Sequence, residues 1–184
     1  MPPKTGGPPK VVAKSLEQAV EALTTDETVK RLDVRYRKLG DAGAEKLASC
    51  LAQNTTLTKL ELDYNSIGAE GAARIAEALA TNRALTHLYL CNNTIDDEGA
   101  ACFAALLEAN QTLKEIFLAS NRIGEAGAQQ ILEALKTTGA VLNIDLGFQN
   151  INMDTSTEIR KTIEVNRRKA KEAGDKAKAE QGDD

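Results

Sequence analysis

A repeat of 28 residues organises most of this 184-residue chain. Five consecutive copies align without a gap, and positions 1, 4, 6 and 11 of the unit are aliphatic in every copy. The copies span residues 29–56, 57–84, 85–112, 113–140 and 141–168. A unit this short cannot bury its apolar residues by itself, so neighbouring copies must stack on one another in a solenoid.

Each repeat combines a strand with a helix. Positions 4 and 6, such as Leu60 and Leu62, alternate with polar residues as in a strand with one buried face. From position 15 the aliphatic residues recur at intervals of three and four, which is the spacing of a helix. The sequence therefore predicts an α/β solenoid, a short right-handed arc with five parallel strands on its concave face and helices on its convex face. A left-handed residue is predicted at the helix ends, which hold Asn54, Asn82, Asn110 and Asn166.

Composition argues against several classes of function. The chain has 23 Lys and Arg against 27 Asp and Glu, and its net charge of −4 argues against a protein built mainly to bind nucleic acid. No apolar run is long enough to span a membrane. The three cysteines, Cys50, Cys91 and Cys102, are not spaced like metal ligands, and no nucleotide-binding motif is present. We therefore expect no cofactor, no metal, no nucleic-acid partner and no membrane partner.

The two ends of the chain differ from the repeats. Residues 1–14 carry all four prolines and predict a flexible tail. Residues 15–28 match only the helical half of the unit and predict a capping helix. Residues 169–184 form a tail of mixed charge, whose basic start is either a docking site for an acidic surface or a solvated end.

The repeat resembles a known family. The pattern LxxLxLxxNxIGxxGAxxIAxALxxN, as written in Leu57 to Asn82, is similar to the ribonuclease-inhibitor-like class of leucine-rich repeat. The resemblance implies a ladder of position 9 asparagines that bond backbone groups inside the turn: Asn65, Asn93 and Asn121. Arg37 and Gln149 replace that asparagine in the first and last copies, which is the kind of departure expected of capping units.

Aromatic residues gather at positions that face away from the predicted core. Five of the six aromatic residues fall on the concave face or its lip, although strands favour such rings for their own stability. Exposed rings beside charged groups are typical anchors of protein interfaces. The sequence predicts that a protein partner contacts Arg31, Arg35, Tyr36, Glu61, Asp63, Tyr64, His87, Tyr89, Cys91, Asn92, Phe117 and Phe148. Charge along this face predicts an acidic partner segment at the first repeat and an apolar one at the fourth and fifth.

No catalytic residue is predicted. His87 is the only histidine, and it is the only base placed to activate the thiol of Cys91. We therefore expect a non-catalytic interaction module, either free or a subunit of a larger cytoplasmic, cytoskeletal, ciliary or flagellar assembly.

Two alternative functions rest on resemblance. The segments VLNIDLGFQN and TEIRKTIEVNRRKAK are similar to the last repeat and tail of the tropomodulin leucine-rich domain, which implies capping of actin pointed ends. The repeats also resemble those of the Ran activators, which implies a GTPase-activating protein.

Overall fold

The computed structural model describes residues 10–147 and 149–181. They form six strands that alternate with six helices along the chain. The strands are β1 (Lys10–Val12), β2 (Arg31–Asp33), β3 (Lys59–Glu61), β4 (His87–Tyr89), β5 (Glu115–Phe117) and β6 (Asn143–Asp145). The helices are α1 (Leu16–Thr25), α2 (Gly40–Leu51), α3 (Ala69–Thr81), α4 (Asp97–Ala109), α5 (Glu125–Thr137) and α6 (Met153–Gln181). The predicted α/β solenoid is confirmed.

The six strands form one parallel sheet in the order of the sequence. Arg31 pairs with Lys59, Lys59 with His87, and His87 with Glu115, so residues at the same repeat position are neighbours on adjacent strands. Residues that share a repeat position therefore form a row of side chains that runs across the strands.

The core lies between the sheet and the helices and is almost entirely aliphatic. Strand residues such as Leu60 and Leu62 are fully buried, and the helices contribute residues such as Ile75 and Leu79. Phe103 of α4 is the aromatic member of the described core and has an exposed fraction of 0%. Burial of these side chains is the main favourable term in the folding of a solenoid, where each repeat contacts only its neighbours.

A sixth strand lies in the segment that the sequence assigns to a flexible tail. Strand β1 pairs with β2, and the backbone N–H of Ala13 donates to the carbonyl oxygen of Asp33 at 2.9 Å. Ala13 is fully buried, so the packed part of the chain begins before residue 15. The prediction of five strands was wrong because a three-residue strand without a matching half-repeat leaves too little pattern to detect.

The last helix is longer than the repeat pattern implies. Helix α6 has 29 residues and continues through 169–181, most of the segment assigned to a charged tail. Alanine, lysine and glutamate in this segment favour helix, and no proline interrupts it. The described side chains beyond Asn166 are exposed, so their polar character is compatible with a helix that leaves the core.

The asparagines at the helix ends do not adopt the predicted left-handed conformation. The φ angles of Asn82 and Asn110 are −68° and −110°, and both residues are extended. Their side chains bond backbone groups instead. The amide nitrogen of Asn82 donates to the carbonyl oxygens of Leu51 and Asn54, each at 2.8 Å, and its amide oxygen accepts from Leu85 N–H at 2.8 Å. At the helix ends these asparagines therefore link consecutive repeats through their side chains, and their tolerance of the left-handed conformation is not used.

Asparagines also occupy the turn after each inner strand. Asn93 is buried, and its amide oxygen accepts from the N–H groups of Asn65 and Ile67, each at 3.0 Å. Its amide nitrogen donates to the carbonyl oxygens of Leu62 and Leu90 at 3.1 and 2.9 Å. Asn65 and Asn121 make equivalent bonds, and so does Gln149 in the fifth repeat. These side chains satisfy backbone groups that have no partner in the turn itself.

Candidate functional site

We define the strand face as the surface of the sheet opposite the helices, formed by repeat positions 3, 5, 7 and 8. Side chains alternate across a strand, so burial of positions 4 and 6 directs positions 3, 5 and 7 to this surface. Position 8 follows each strand at the lip of the sheet. Eleven of the twelve residues predicted to contact a partner occupy these positions in the described structure, while Phe148 lies outside the described residues.

Six ionised side chains form a charge cluster at the N-terminal end of the strand face. The cluster consists of Asp33 and Glu61 together with Lys10, Arg31, Arg35 and Lys59. Asp33 and Glu61 are only 6% and 7% exposed, and buried carboxylates require cationic partners. The four cations surround two carboxylates, so the cluster carries two excess positive charges.

Distances within the charge cluster show how the carboxylate oxygens are shared. Lys10 Nζ lies 3.1 Å from Asp33 Oδ2 and 3.2 Å from Glu61 Oε2. Glu61 Oε1 lies 3.1 Å from Lys59 Nζ and 3.6 Å from Arg31 Nη2. One carboxylate oxygen of Glu61 is therefore shared by two cations, Arg31 and Lys59.

Arg35 sets the ionisation of Asp33. Its Nε and Nη2 donate to the two carboxylate oxygens at 2.9 and 2.7 Å. These bonds hold the pKa of Asp33 well below its usual range despite the opposing effect of burial, and they raise the pKa of Arg35. Asp33 is therefore charged at every physiological pH. The predicted basic end of the face is corrected to a partly neutralised cluster with a positive surplus.

Two stacked aromatic pairs lie beside the charge cluster. The rings of Tyr36 and Tyr64 are 4.3 Å apart between centroids and inclined by 13°. Those of Tyr89 and Phe117 are 4.5 Å apart and inclined by 11°. Lys59 Nζ lies 4.1 Å from the centroid of the Tyr89 ring, a cation–π geometry that joins the second pair to the cluster.

The first aromatic pair stands on strained backbone. Tyr36 and Tyr64 both have φ of 59°, in the left-handed region that bulky residues avoid. Asn92, at the same position of the next repeat, has φ of 56° and is a residue type that tolerates this conformation. The two tyrosines are also 61% and 45% exposed. Neither the backbone nor the core explains why tyrosine occupies this position twice.

Cys91 of the strand face is not an activated thiol. Burial raises its pKa to about 11, with a further contribution from the charge of Asp63. Asp63 accepts from the backbone N–H of Cys91 at 2.7 Å, and burial raises the pKa of its own carboxyl group. The only histidine, His87, lies 4.0 Å from Glu115 and bonds Thr86 through Nδ1 at 2.7 Å. Cys91 is therefore protonated at neutral pH and a poor nucleophile.

The C-terminal end of the sheet is less enclosed than the repeats before it. Ile144, Leu146 and Ile151 are partly exposed, whereas their counterparts in the middle repeats are fully buried. Arg167 of α6 crosses this end and donates to the carbonyl oxygen of Leu142 and to Asn143 Oδ1. These three residues occupy the core positions 4, 6 and 11 of the repeat, so their exposure reflects a partly uncovered core, and the apolar character of this end of the strand face stays a prediction.

Two chemical features are not found in the described part of the chain. Residues 10–147 and 149–181 contain no group of three or more His, Cys, Asp or Glu side chains arranged to hold a metal ion. None of the described helices is both long enough and apolar enough to cross a bilayer.

Sequence reasoning missed three members of the charge cluster. Lys10 was assigned to a flexible tail, and Asp33 and Lys59 were not among the predicted contact residues. Lys59 shares position 3 with Arg31 and His87, which is a signal in the repeat alignment. Two valines follow Lys10 in a segment otherwise rich in proline and glycine, and they are its only sign of a strand.

Known proteins share the fold of this chain. A leucine-rich repeat family model matches residues 25–48, 53–76, 81–104 and 109–132, which together cover just over half of the sequence. Searching the curated proteins finds no significant match.

Similar solved structures include a structure of leiomodin-1 actin-binding site 2. It has a TM-score of 0.83 and 19% sequence identity, and the match covers 90% of this chain and 97% of that one. The tropomodulin C-terminal domain from Caenorhabditis elegans has a TM-score of 0.74 and 16% identity, over 85% of this chain and 95% of that one. These identities establish a shared fold alone. With four repeats matched to the family model, the chain belongs to the leucine-rich repeat family.

Proposed function

We propose that the chain is a non-catalytic protein–protein interaction module whose strand face contacts the partner. One observation carries this proposal: two exposed tyrosines occupy left-handed backbone positions in consecutive repeats. Strained residues persist where the surrounding structure holds them, and they concentrate at functional sites. Exposed aromatic rings beside cations are frequent anchors of protein interfaces.

The two ends of the strand face offer different chemistry to a partner. The charge cluster supplies surplus positive charge near β1, β2 and β3, and the Tyr89–Phe117 pair supplies apolar surface further along. Charge complementarity of this kind fixes orientation and speeds association more than it adds affinity. The partner is thus held in one register along the sheet, as part of a cytoplasmic or cytoskeletal assembly, including a ciliary one.

Actin is a second candidate partner. The match to leiomodin-1 actin-binding site 2 covers nearly the whole of that structure, and a tropomodulin domain shares the fold. Fold alone does not determine function, so this candidate depends on a direct test. Slower elongation of actin filaments from their pointed ends in the presence of the protein would establish it.

Photo-crosslinking in cells tests the leading proposal. Benzoylphenylalanine is incorporated in place of Tyr89 on the strand face, or in place of Ala105, an exposed residue of α4 in the same repeat. We expect covalent partners from the Tyr89 position and few from the Ala105 position, because the probe reacts only with groups in direct contact. Mass spectrometry then identifies the partner, and recovery of actin would favour the second candidate.

Two outcomes would contradict the proposal. Partners recovered from the Ala105 position and absent from the Tyr89 position would place the interface on the helical side. Stimulated GTP hydrolysis by a small GTPase at catalytic amounts of protein would contradict the non-catalytic assignment.

A further inference from the structure

Three cations stand side by side across neighbouring strands. We define the basic row as Lys10, Arg31 and Lys59, which are successive partners in the sheet register at the ends of β1, β2 and β3. His87 and then Glu115 continue the same row on β4 and β5. Like charges directly opposite one another destabilise a sheet unless other groups neutralise them. Asp33 and Glu61, in the next row, supply two negative charges for this purpose.

The neutralisation of the basic row is incomplete. Arg35 takes up most of the hydrogen-bonding capacity of Asp33, and Glu61 lies within 3.6 Å of all four cations of the cluster. Arg31 Nε is buried without a hydrogen-bond acceptor among the described residues. The side chains of Lys10, Arg31 and Lys59 remain about a third, a third and a fifth exposed. An external carboxylate can therefore reach the exposed parts of these three side chains and act as a further acceptor.

The spacing of the three cations fits a helical partner better than an extended one. Strands in a sheet lie about 4.8 Å apart, so the basic row is about 10 Å long and runs at right angles to the strands. Along a helix that rises about 1.5 Å per residue, positions i, i+3 and i+7 lie at about 0, 4.5 and 10.5 Å. In an extended segment, positions i and i+2 on one face are about 6.8 Å apart, and the mismatch grows along the row.

Building on the proposed function, we infer that the strand face binds an acidic helical segment laid along the basic row. Carboxylates of the helix at i, i+3 or i+4, and i+7 face Lys10, Arg31 and Lys59. A helix with side chains is about 10 Å across, so it also covers the neighbouring row that contains Tyr89 and Phe117. An apolar side chain one or two turns beyond the acidic stretch contacts this aromatic pair.

A nucleic-acid strand fits the same surface less well. Asp33, Glu61 and Asp63 lie on the strand face beside the basic row, and Glu115 lies in the same register two strands beyond Lys59. These carboxylates would repel a continuous chain of phosphates, whereas a helix can place uncharged residues opposite them. The chain also carries a net charge of −4.

Selection from a display library of 20-residue helical peptides tests the inference on the full chain. We expect recovered peptides to carry Asp or Glu at i, i+3 or i+4, and i+7, followed by an apolar residue. A recovered peptide is labelled with fluorescein, and its dissociation constant is measured by anisotropy. Arg31→Gln and Lys59→Gln should each weaken binding about fivefold, the size expected for loss of one partly exposed charge pair.

Matched controls separate charge at the row from charge in general. Arg83→Gln removes the same charge from an exposed arginine whose side-chain bonds within the described residues go to the carbonyl oxygens of Ala80 and Asn82, and it should change binding less than twofold. Thermal unfolding followed by circular dichroism establishes that each variant is folded.

Other outcomes would overturn the inference. Peptides without the acidic spacing that lose affinity in Tyr89→Ala would contradict the acidic helix and leave the proposed function standing. Peptides unaffected by Arg31→Gln, Lys59→Gln and Tyr89→Ala would contradict both. Tighter binding of a 20-nucleotide oligothymidine, weakened by Arg31→Gln, would assign the row to nucleic acid.

Discussion

Replacing Asn93 with alanine should lower the free energy of unfolding by about 3 to 5 kcal/mol, because it leaves two buried N–H groups without an acceptor. Those groups belong to Asn65 and Ile67, and both bond the amide oxygen of Asn93. The carbonyl oxygens of Leu62 and Leu90 keep another amide partner, from Asn65 and Asn121, so they add less to the loss. Urea unfolding followed by circular dichroism measures the change.

Two further variants test the cause of this loss. Asn150→Ala removes an exposed asparagine and should change stability by less than about 0.5 kcal/mol. Asn93→Gln should recover part of the loss, because Gln149 makes the equivalent bonds in the fifth repeat. A loss below about 1 kcal/mol for Asn93→Ala would contradict a role for the side chain in satisfying buried backbone groups.

Phe103→Ala should cost about 3 to 5 kcal/mol, the usual range for truncating a fully buried aromatic ring. Phe103 has an exposed fraction of 0% and fills the place taken by aliphatic side chains in the other repeats. The loss combines reduced apolar burial with the cavity left behind. Differential scanning calorimetry and urea unfolding report it independently.

The control variant is the residue found at the same position in neighbouring repeats. Ile75 and Ile131 occupy the same repeat position as Phe103, so Phe103→Ile should cost only about 1 to 2 kcal/mol. Equal losses for the alanine and isoleucine variants would contradict the cavity explanation, because the two substitutions leave very different volumes empty.

The repeat pattern predicted the architecture because each buried position recurs in every copy. A column of aliphatic residues such as Leu32, Leu60 and Leu88 can be buried together only if equivalent strands lie side by side. The sheet register follows from the 28-residue period for the same reason. Strand β1 stands outside this period, which is why the pattern placed it in a tail.

Charge pairing could not be predicted in the same way. The repeat alignment places Arg31 and Lys59 in one row, but it does not show that Lys10 joins them or that Glu61 is shared among four cations. Side-chain direction decides those contacts. The same holds for Asn82, whose effect on the chain comes from amide bonds to the preceding repeat.

The backbone strain at the two tyrosines could not be predicted from the sequence either. Tyr36 and Tyr64 were predicted to lie on the concave face or its lip, but their positive φ depends on how the chain leaves the strand. The alignment contains one hint, since Asn92 occupies that position in the third repeat. Asparagine tolerates the left-handed region, whereas tyrosine rarely adopts it. We therefore attribute the two tyrosines to function.

In the proposed function, Tyr36 and Tyr64 serve binding and not folding. The most direct test is the double variant Tyr36→Asn/Tyr64→Asn, measured both for stability and for affinity toward the partner identified by crosslinking. We expect stability to stay within about 1 kcal/mol, because relief of left-handed strain offsets the lost ring stacking. Affinity should fall more than about tenfold, as it does when aromatic anchors are removed. Lower stability with unchanged affinity would contradict the claim and assign the rings to the fold.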